Sequence, residues 1–256
     1  MLAFHNDAKI KEKYIKRVKE HYDADEIIQG KYWGNGKGCA VGCTMEMSNS
    51  DGSLHKEMEK VLGIPISLVY LEDHLFEGLE NKEAKMFPLR FLDAIKVGSD
   101  LSLISPKFVF WMLTDKEGII KNAFPDGKKA IKKTAKLYKK LISGKTVTTE
   151  EWSAARAAAE SAWSEAKSDS AAESDSATDS ATDSDSATWA ASGAVWSARS
   201  DARAAAKLAN NAGSSAWSSA WSSAEEEAAE EIKFEAYKKM ADRLIELLEE
   251  EKLLIK

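Results

Sequence analysis

The residues with types and spacing that could do chemistry form one string, Gly36-Lys37-Gly38-Cys39-Ala40-Val41-Gly42-Cys43. A glycine-rich loop entering a helix N-terminus presents backbone amides to an anion and lowers the pKa of a thiol placed there. Cys39 takes that place and Lys37 adds positive charge. Gly36, Lys37, Gly38, Cys39 and Cys43 are therefore the candidate ligand-binding residues, suited to a phosphate or nucleotide group. The same string also offers Cys39 as a nucleophile, which requires a histidine base. His5, His21, His55 and His74 are the choices; His55 is nearest, with Glu57 or Glu59 to orient it. A third reading needs no chemistry: Gly and Cys are the small residues of a crowded turn.

Several specific templates are excluded. A P-loop needs Gly, four residues, then Gly-Lys-Ser/Thr, whereas here position 31 is Lys31 and Lys37 is followed by Gly38. Cys39 and Cys43 have no third cysteine with which to hold an iron–sulfur cluster. Zinc would need two further ligands, and only the fold could bring His55 and His74 close, so no metal and no cofactor are expected. Residues 121–145 hold nine Lys and a single acid, Asp126. They are read as a solvated face, or one that docks on acidic parts of the chain; nucleic acid is not expected. Two cysteines make no disulfide framework, the N-terminal residues lack an apolar leader, and no apolar run approaches the ~18 residues of a membrane span. A cytoplasmic setting is the expectation.

The elements that must position this string are mostly helical. Asn6-Asp7 caps a helix carrying Ile10, Tyr14, Val18 and Tyr22 at four-residue spacing. A shorter piece, residues 23–29, ends at Gly30. Four glycines within residues 34–42 make a tight loop, and one hairpin at most fits near residues 32–47. Ser53 opens a helix that Gly63 stops; Pro65 opens another, with Leu68, Leu71, Leu75 and Leu79 on one face. Further helices are expected over 82–96, 101–113 and 115–123, and from Asp126 to Ile142 with the stripe Ile131, Ala135, Tyr138, Ile142.

Residues 151–231 change character. Those 81 positions hold 27 Ala and 19 Ser with only Val195 and Leu208 as large aliphatics, so they cannot build an ordinary core. Six of the chain's eight tryptophans are nevertheless here. At ~100° per residue, Trp152 and Trp163 share a face, as do Trp189 with Trp196 and Trp217 with Trp221. The segment is read as close-packed Ala-rich helices with Trp anchors, opened by the capping box Thr148-Thr149-Glu150-Glu151. Breaks are expected at residues 184–186, Gly193 and residues 210–213. Its weak point is residues 168–188, with six acids and no base. The last helix regains Ile232, Tyr237, Met240, Leu244, Leu247 and Leu248. The expected organisation is a helical domain over 1–147 and an Ala/Ser/Trp-rich arm over 148–256 that returns to the core. Residues 1–150 carry 25 basic and 21 acidic side chains and residues 151–256 carry 11 and 21, a split in sign that favours docking or charged partners.

The block from Tyr32-Trp33 through Gly36-Lys-Gly-Cys-Ala-Val-Gly-Cys43, with Leu71-Glu-Asp-His-Leu-Phe-Glu-Gly78, the Ala/Trp arm and the close Met240-Ala-Asp-Arg-Leu-Ile-Glu-Leu-Leu248, resembles a family of tailed-phage and prophage proteins. The resemblance spans nearly the whole chain, and residues 36–43 carry its most specific part; this arm holds more Ser and Asp than the Ala/Trp/Arg-rich members. It implies expression in an infected bacterial cytoplasm and brings no activity with it. The leading expectation is a non-catalytic accessory protein that binds a host protein or a small anionic ligand, with counter-defence, by sequestering a signal nucleotide or blocking a defence protein, as its natural role. A cysteine-dependent enzyme using Cys39 and His55 is the alternative, and self-association through the Ala/Trp arm is the third.

Overall fold

The computed structural model describes residues 1–49, 52–116, 125–172 and 226–251. Among them the chain is mostly α-helical, with one two-stranded sheet. Asp7 caps α1 (Ala8–Asp23), accepting a hydrogen bond from the Lys9 amide at 2.9 Å. Tyr14 and Val18 are buried in that helix, but Tyr22 is exposed and His21 is buried in its place. Strict four-residue spacing drifts by ~40° per step on a helix of ~100° per residue. Three such steps carry Tyr22 away from the face that starts at Ile10. Residues 24–29 form no helix; Asp25 turns left-handed and Ile27 bridges to Gly38.

Asn35 and Gly36, with φ of 56° and 77°, join β1 (Trp33–Gly34) to β2 (Lys37–Gly38). Positive φ at both central residues matches the right-handed twist of a two-residue hairpin, the reason Asn-Gly is favoured there. Trp33 pairs with Gly38 and Gly34 with Lys37. The hairpin feeds directly into α2 (Ala40–Met45), whose six residues are all buried. α3 (Leu54–Leu62) ends at Gly63, which is left-handed at φ 63°. Pro65 precedes α4 (Ile66–Gly78), which buries Leu68, Leu71 and Leu75, with Leu79 just beyond. α5 (Asn81–Ala94) and α6 (Ile104–Thr114) follow. The 115–123 helix lies outside the described residues from 117 onward; Asp115 and Lys116 are not helical.

Two compact units emerge, Met1–Ser105 with Tyr237–Lys256, and Pro106–Ala236. The sequence puts the division at 147. The difference arises because α7 (Pro125–Ile142) pairs with α8 (Thr149–Ala172), the first helix of the Ala-rich arm. In unit 1, α2 is central and touches α1, α3, α4 and α5. The described part of α9 (Glu226–Glu250) that belongs to unit 1 supplies buried Tyr237, Met240, Leu244, Leu247 and Leu248. Arg90 pairs with Asp242 at 2.7 Å, and the Lys96 ammonium donates to the Glu249 and Glu251 carbonyls at the end of that helix.

Residues 4–6 form an uncommon local structure. Phe4, His5 and Asn6 are consecutive left-handed residues with φ of 52°, 51° and 60°. Each left-handed non-glycine residue costs about 1–2 kcal/mol. Full burial of the Phe4 ring, backbone bonds from Ala3 to Ser99 and from Gly98 to Ala3, and the His5 ring on the Lys60 carbonyl hold the turn in place.

In unit 2, Ala130 packs on Ala159, and Leu137 on Ala155 with Val147 and Trp152. The Tyr138 and Trp152 rings meet edge to face, 5.3 Å apart. The capping box forms as its residues dictate. The Glu151 amide donates to Thr148 Oγ1 at 3.2 Å, and the Thr148 amide donates to Glu151 Oε2 at 2.9 Å. Lys140 pairs with Glu151 at 2.7 Å and Lys133 donates to the Ala154 carbonyl, so part of the basic face of α7 is spent on α8. Residues 168–172 are helical; residues 173–188, the breaks at 184–186, 193 and 210–213, and the pairs Trp189–Trp196 and Trp217–Trp221 lie outside the described residues. Among the described residues no helix is long and apolar enough to cross a membrane.

Candidate functional site

Cys39 stands at the N-terminal cap of α2, and its sulfur accepts a long hydrogen bond from the Gly42 amide at 3.5 Å. Three amides of the loop and the helix start are already engaged inside the protein. Gly38 N–H donates to the Glu26 carbonyl, Cys39 N–H to the Lys31 carbonyl at 2.7 Å and Cys43 N–H to the Cys39 carbonyl. The Tyr32 carbonyl presses on this turn so closely that a Cβ on Gly38 or Gly42 would overlap it. These two glycines are thus explained by crowding. Gly36 serves the hairpin turn, and exposed Lys37 reaches only the Asp25 carbonyl, at 3.4 Å. Cys43 points inward, its thiol donating to the Gly38 carbonyl at 3.2 Å; burial pushes its pKa up to about 12.

What the turn does present is the Cys39 thiol, and it meets an acid. Cys39 Sγ donates to Asp73 Oδ1 at 3.4 Å. The other oxygen, Oδ2, accepts from His55 Nε2 at 3.0 Å. His55 therefore does join the Cys39 neighbourhood, but through Asp73 rather than by direct contact. Its ring is 2% exposed, stacked on Tyr70 with centroids 4.2 Å apart and met edge-on by Tyr32 at 5.7 Å. Neither glutamate expected to orient it does so: Glu57 meets Lys60, and Glu59 accepts from the Ile66 amide ahead of α4. The remaining histidines stand elsewhere, His5 on the Lys60 carbonyl, His21 between Glu26 and Glu46, and His74 beside Tyr237.

α4 brings the rest. Its apolar face at Leu68, Leu71 and Leu75 leaves Tyr70, Asp73 and Glu77 along a neighbouring face, at i, i+3 and i+7. Glu77 Oε2 accepts from the Gly30 amide at 2.8 Å. The Gln29 side chain donates to the Phe76 and Leu79 carbonyls, tying that loop to the end of α4. Donor atoms of Cys39, Asp73 and Glu77 all lie within 4.8 Å of one another. Beside them Glu72 is fully buried, and its Oε2 has no hydrogen-bond partner.

The electrostatics are one-sided. Burial first, then the Asp73 charge, holds the Cys39 thiol far above the usual thiol range. This is the opposite of the activation expected at a helix start, because burial, together with the acids nearby, outweighs the Gly42 amide. Burial, then the Asp73 and Glu77 charges, raises Glu72 well above the ordinary carboxylate range, and burial also raises Glu77. Among the described residues no Lys or Arg pairs with Glu72, Asp73 or Glu77. Such a cluster repels anions and suits a cation.

Asp73, Glu77 and Tyr70 were not among the residues singled out in the sequence. The available signal was Asp73 with Glu77, two acids four apart on one helix face, a placement that costs helix stability. No protein-family model, no curated protein and no solved structure matches this chain.

Proposed function

We propose that this is a non-catalytic binding protein whose site at Asp73 takes a cationic group. The observation that carries the reading is the convergence of Cys39, Asp73 and Glu77 without a lysine or arginine among the described residues to neutralise them. The engaged amides of residues 38, 39 and 43 favour a cation over the anionic nucleotide suggested by the loop sequence. A Cys39 nucleophile is disfavoured, since Asp73 lies between the thiol and His55, and burial, then the Asp73 charge, keeps the proton on sulfur. The likeness to phage and prophage proteins supports an accessory role in which the bound component comes from the host cell.

Calorimetry tests this with two ligand sets, divalent metal salts with small ammonium or guanidinium compounds, and nucleotides. Binding confined to the cations and lost in Asp73→Asn supports the proposal. Nucleotide binding that depends on Lys37 overturns it.

A further inference from the structure

Resting on the cation reading above, we infer that Cys39, Asp73 and Glu77 form a binding site for a thiophilic divalent metal ion of the zinc class. The donor set is one sulfur and two carboxylates, three protein ligands that leave a fourth position for water or a ligand. Zinc–sulfur and zinc–oxygen bonds of ~2.3 and ~2.1 Å at tetrahedral angles separate the two donors by ~3.6 Å. Cys39 Sγ and Asp73 Oδ1 already stand 3.4 Å apart. The bound of 4.8 Å for the whole trio leaves on the order of 1 Å to close. Glu77, the exposed member, closes it by a side-chain adjustment, and its exposure provides the way in.

The surroundings match what metal ligands require. Bound carboxylates are held by further hydrogen bonds that fix their direction. Here the second oxygen of Asp73 is held by His55 Nε2 and one oxygen of Glu77 by the Gly30 amide, leaving one oxygen of each for an ion. His55 is in turn fixed by Tyr70 and Tyr32, so the support extends another layer.

A separate observation agrees. Buried polar atoms without a partner are rare and call for an explanation. Glu72 Oε2 is such an atom, on a side chain 1% exposed that immediately precedes Asp73 on α4. A divalent ion at Cys39 and Asp73 supplies the positive charge that this corner otherwise lacks. On binding, the S–H bond of Cys39 breaks, its proton leaves to solvent, and the sulfur lone pair forms the bond to the metal. Thiolate ligation selects zinc, cobalt or copper over magnesium and calcium, which prefer oxygen alone.

The test is titration of the full chain, freed of metal by chelation, with Co²⁺ alone. The expected result is one equivalent bound, with a thiolate-to-cobalt charge-transfer band and tetrahedral visible absorption. Cys39→Ser removes the charge-transfer band and Cys43→Ser retains it. Glu77→Gln, at an exposed position that spares the fold, weakens Zn²⁺ binding by at least ~10-fold, and His55→Ala by ~10–100-fold as a positioning residue. Circular dichroism of each variant separates loss of the site from loss of the fold. A spectrum of hydrated Co²⁺ only, or a band that survives in Cys39→Ser, overturns the metal site. If metals fail while an ammonium or guanidinium compound still binds through Asp73, the cation reading stands without the metal. If both fail, both fall.

Discussion

Gly78 and Tyr237 share one space: a Cβ on Gly78 would overlap the Tyr237 ring. The glycine ends α4 and the tyrosine is buried on α9, so the absence of one side chain makes room for the other. Gly78→Ala therefore forces the ring or the helix to move, at about 1–3 kcal/mol. Chemical denaturation should show the loss, and Tyr237→Leu combined with Gly78→Ala should recover part of it. Full stability in Gly78→Ala alone would mean that the ring moves freely.

The Tyr32 carbonyl sets a stricter demand at Gly38 and Gly42, where backbone rather than a side chain blocks a Cβ. Alanine at either position should cost more than at Gly36, where the nearest atom is Glu26 Oε1 at 3.7 Å. Gly36→Asn is the control, since asparagine tolerates a positive φ. Thermal unfolding of the three variants checks the ranking. Similar melting for all three would remove the role given to Tyr32.

Both thiols should resist alkylation in the native protein. Cys39 is 1% exposed and its pKa lies far above the usual range, while Cys43 lies at about 12. The thiolate is the reacting species. Neutral-pH labelling should therefore modify neither until denaturant is added. Selective labelling of Cys39 in the folded chain would return the nucleophile to consideration.

The His55–Asp73 hydrogen bond is shielded by Tyr70 and Tyr32. Removing His55 leaves a part-buried acceptor and a gap between two rings, together on the order of 3 kcal/mol. His55→Ala and Asp73→Ala should each destabilise, and the double variant by less than their sum. Strict additivity in urea denaturation would show that the two side chains do not act as a pair.

Acid should loosen the start of α8 before the rest. The Lys140 hydrogen bond, then the Thr148 amide, holds Glu151 below its ordinary value of 4.5. A lowered folded-state pKa means that the contribution is complete above 4.5 and fades as pH falls through the lowered value. Relative to the intrinsic rate at each pH, amide exchange at residues 148–152 should rise on acidification below pH 4.5. Glu151→Gln should flatten that rise. Thr148→Ala should destabilise the helix start by about 1 kcal/mol at any pH.

Much of the helical frame is legible in the chain because its signals are local. Asp7, Gly63, Gly144 and the Thr148–Glu151 box each act within one turn, and each appears where its residue type requires. The hairpin is legible for the same reason, through Asn35-Gly36. The left-handed Phe4-His5-Asn6 turn is not, because contacts with Ser99, Gly98 and Lys60 hold it against local preference. The site is only half legible. The turn at residues 36–43 draws attention through its glycines, which pack under Tyr32, while the acids that set its chemistry arrive from α4, 34 residues after Cys39 in the case of Asp73.

Unit 1 is interrupted: residues 106–236 stand between its first 105 residues and the closing segment that begins at Tyr237. That intervening stretch is 131 residues (236 − 106 + 1). At ~5–20 residues per second of synthesis, it separates the two parts by roughly 7–26 s. During that interval a nascent chain has the hairpin, α2 and the acids of α4 in hand, but not Leu244 and Leu248, which are fully buried in the finished unit. A ribosome-bound chain stopped near residue 150 should therefore be open to proteases within unit 1, and resistance should arrive only after the last helix emerges. The site at Asp73 is written early, and the unit that holds it is closed late.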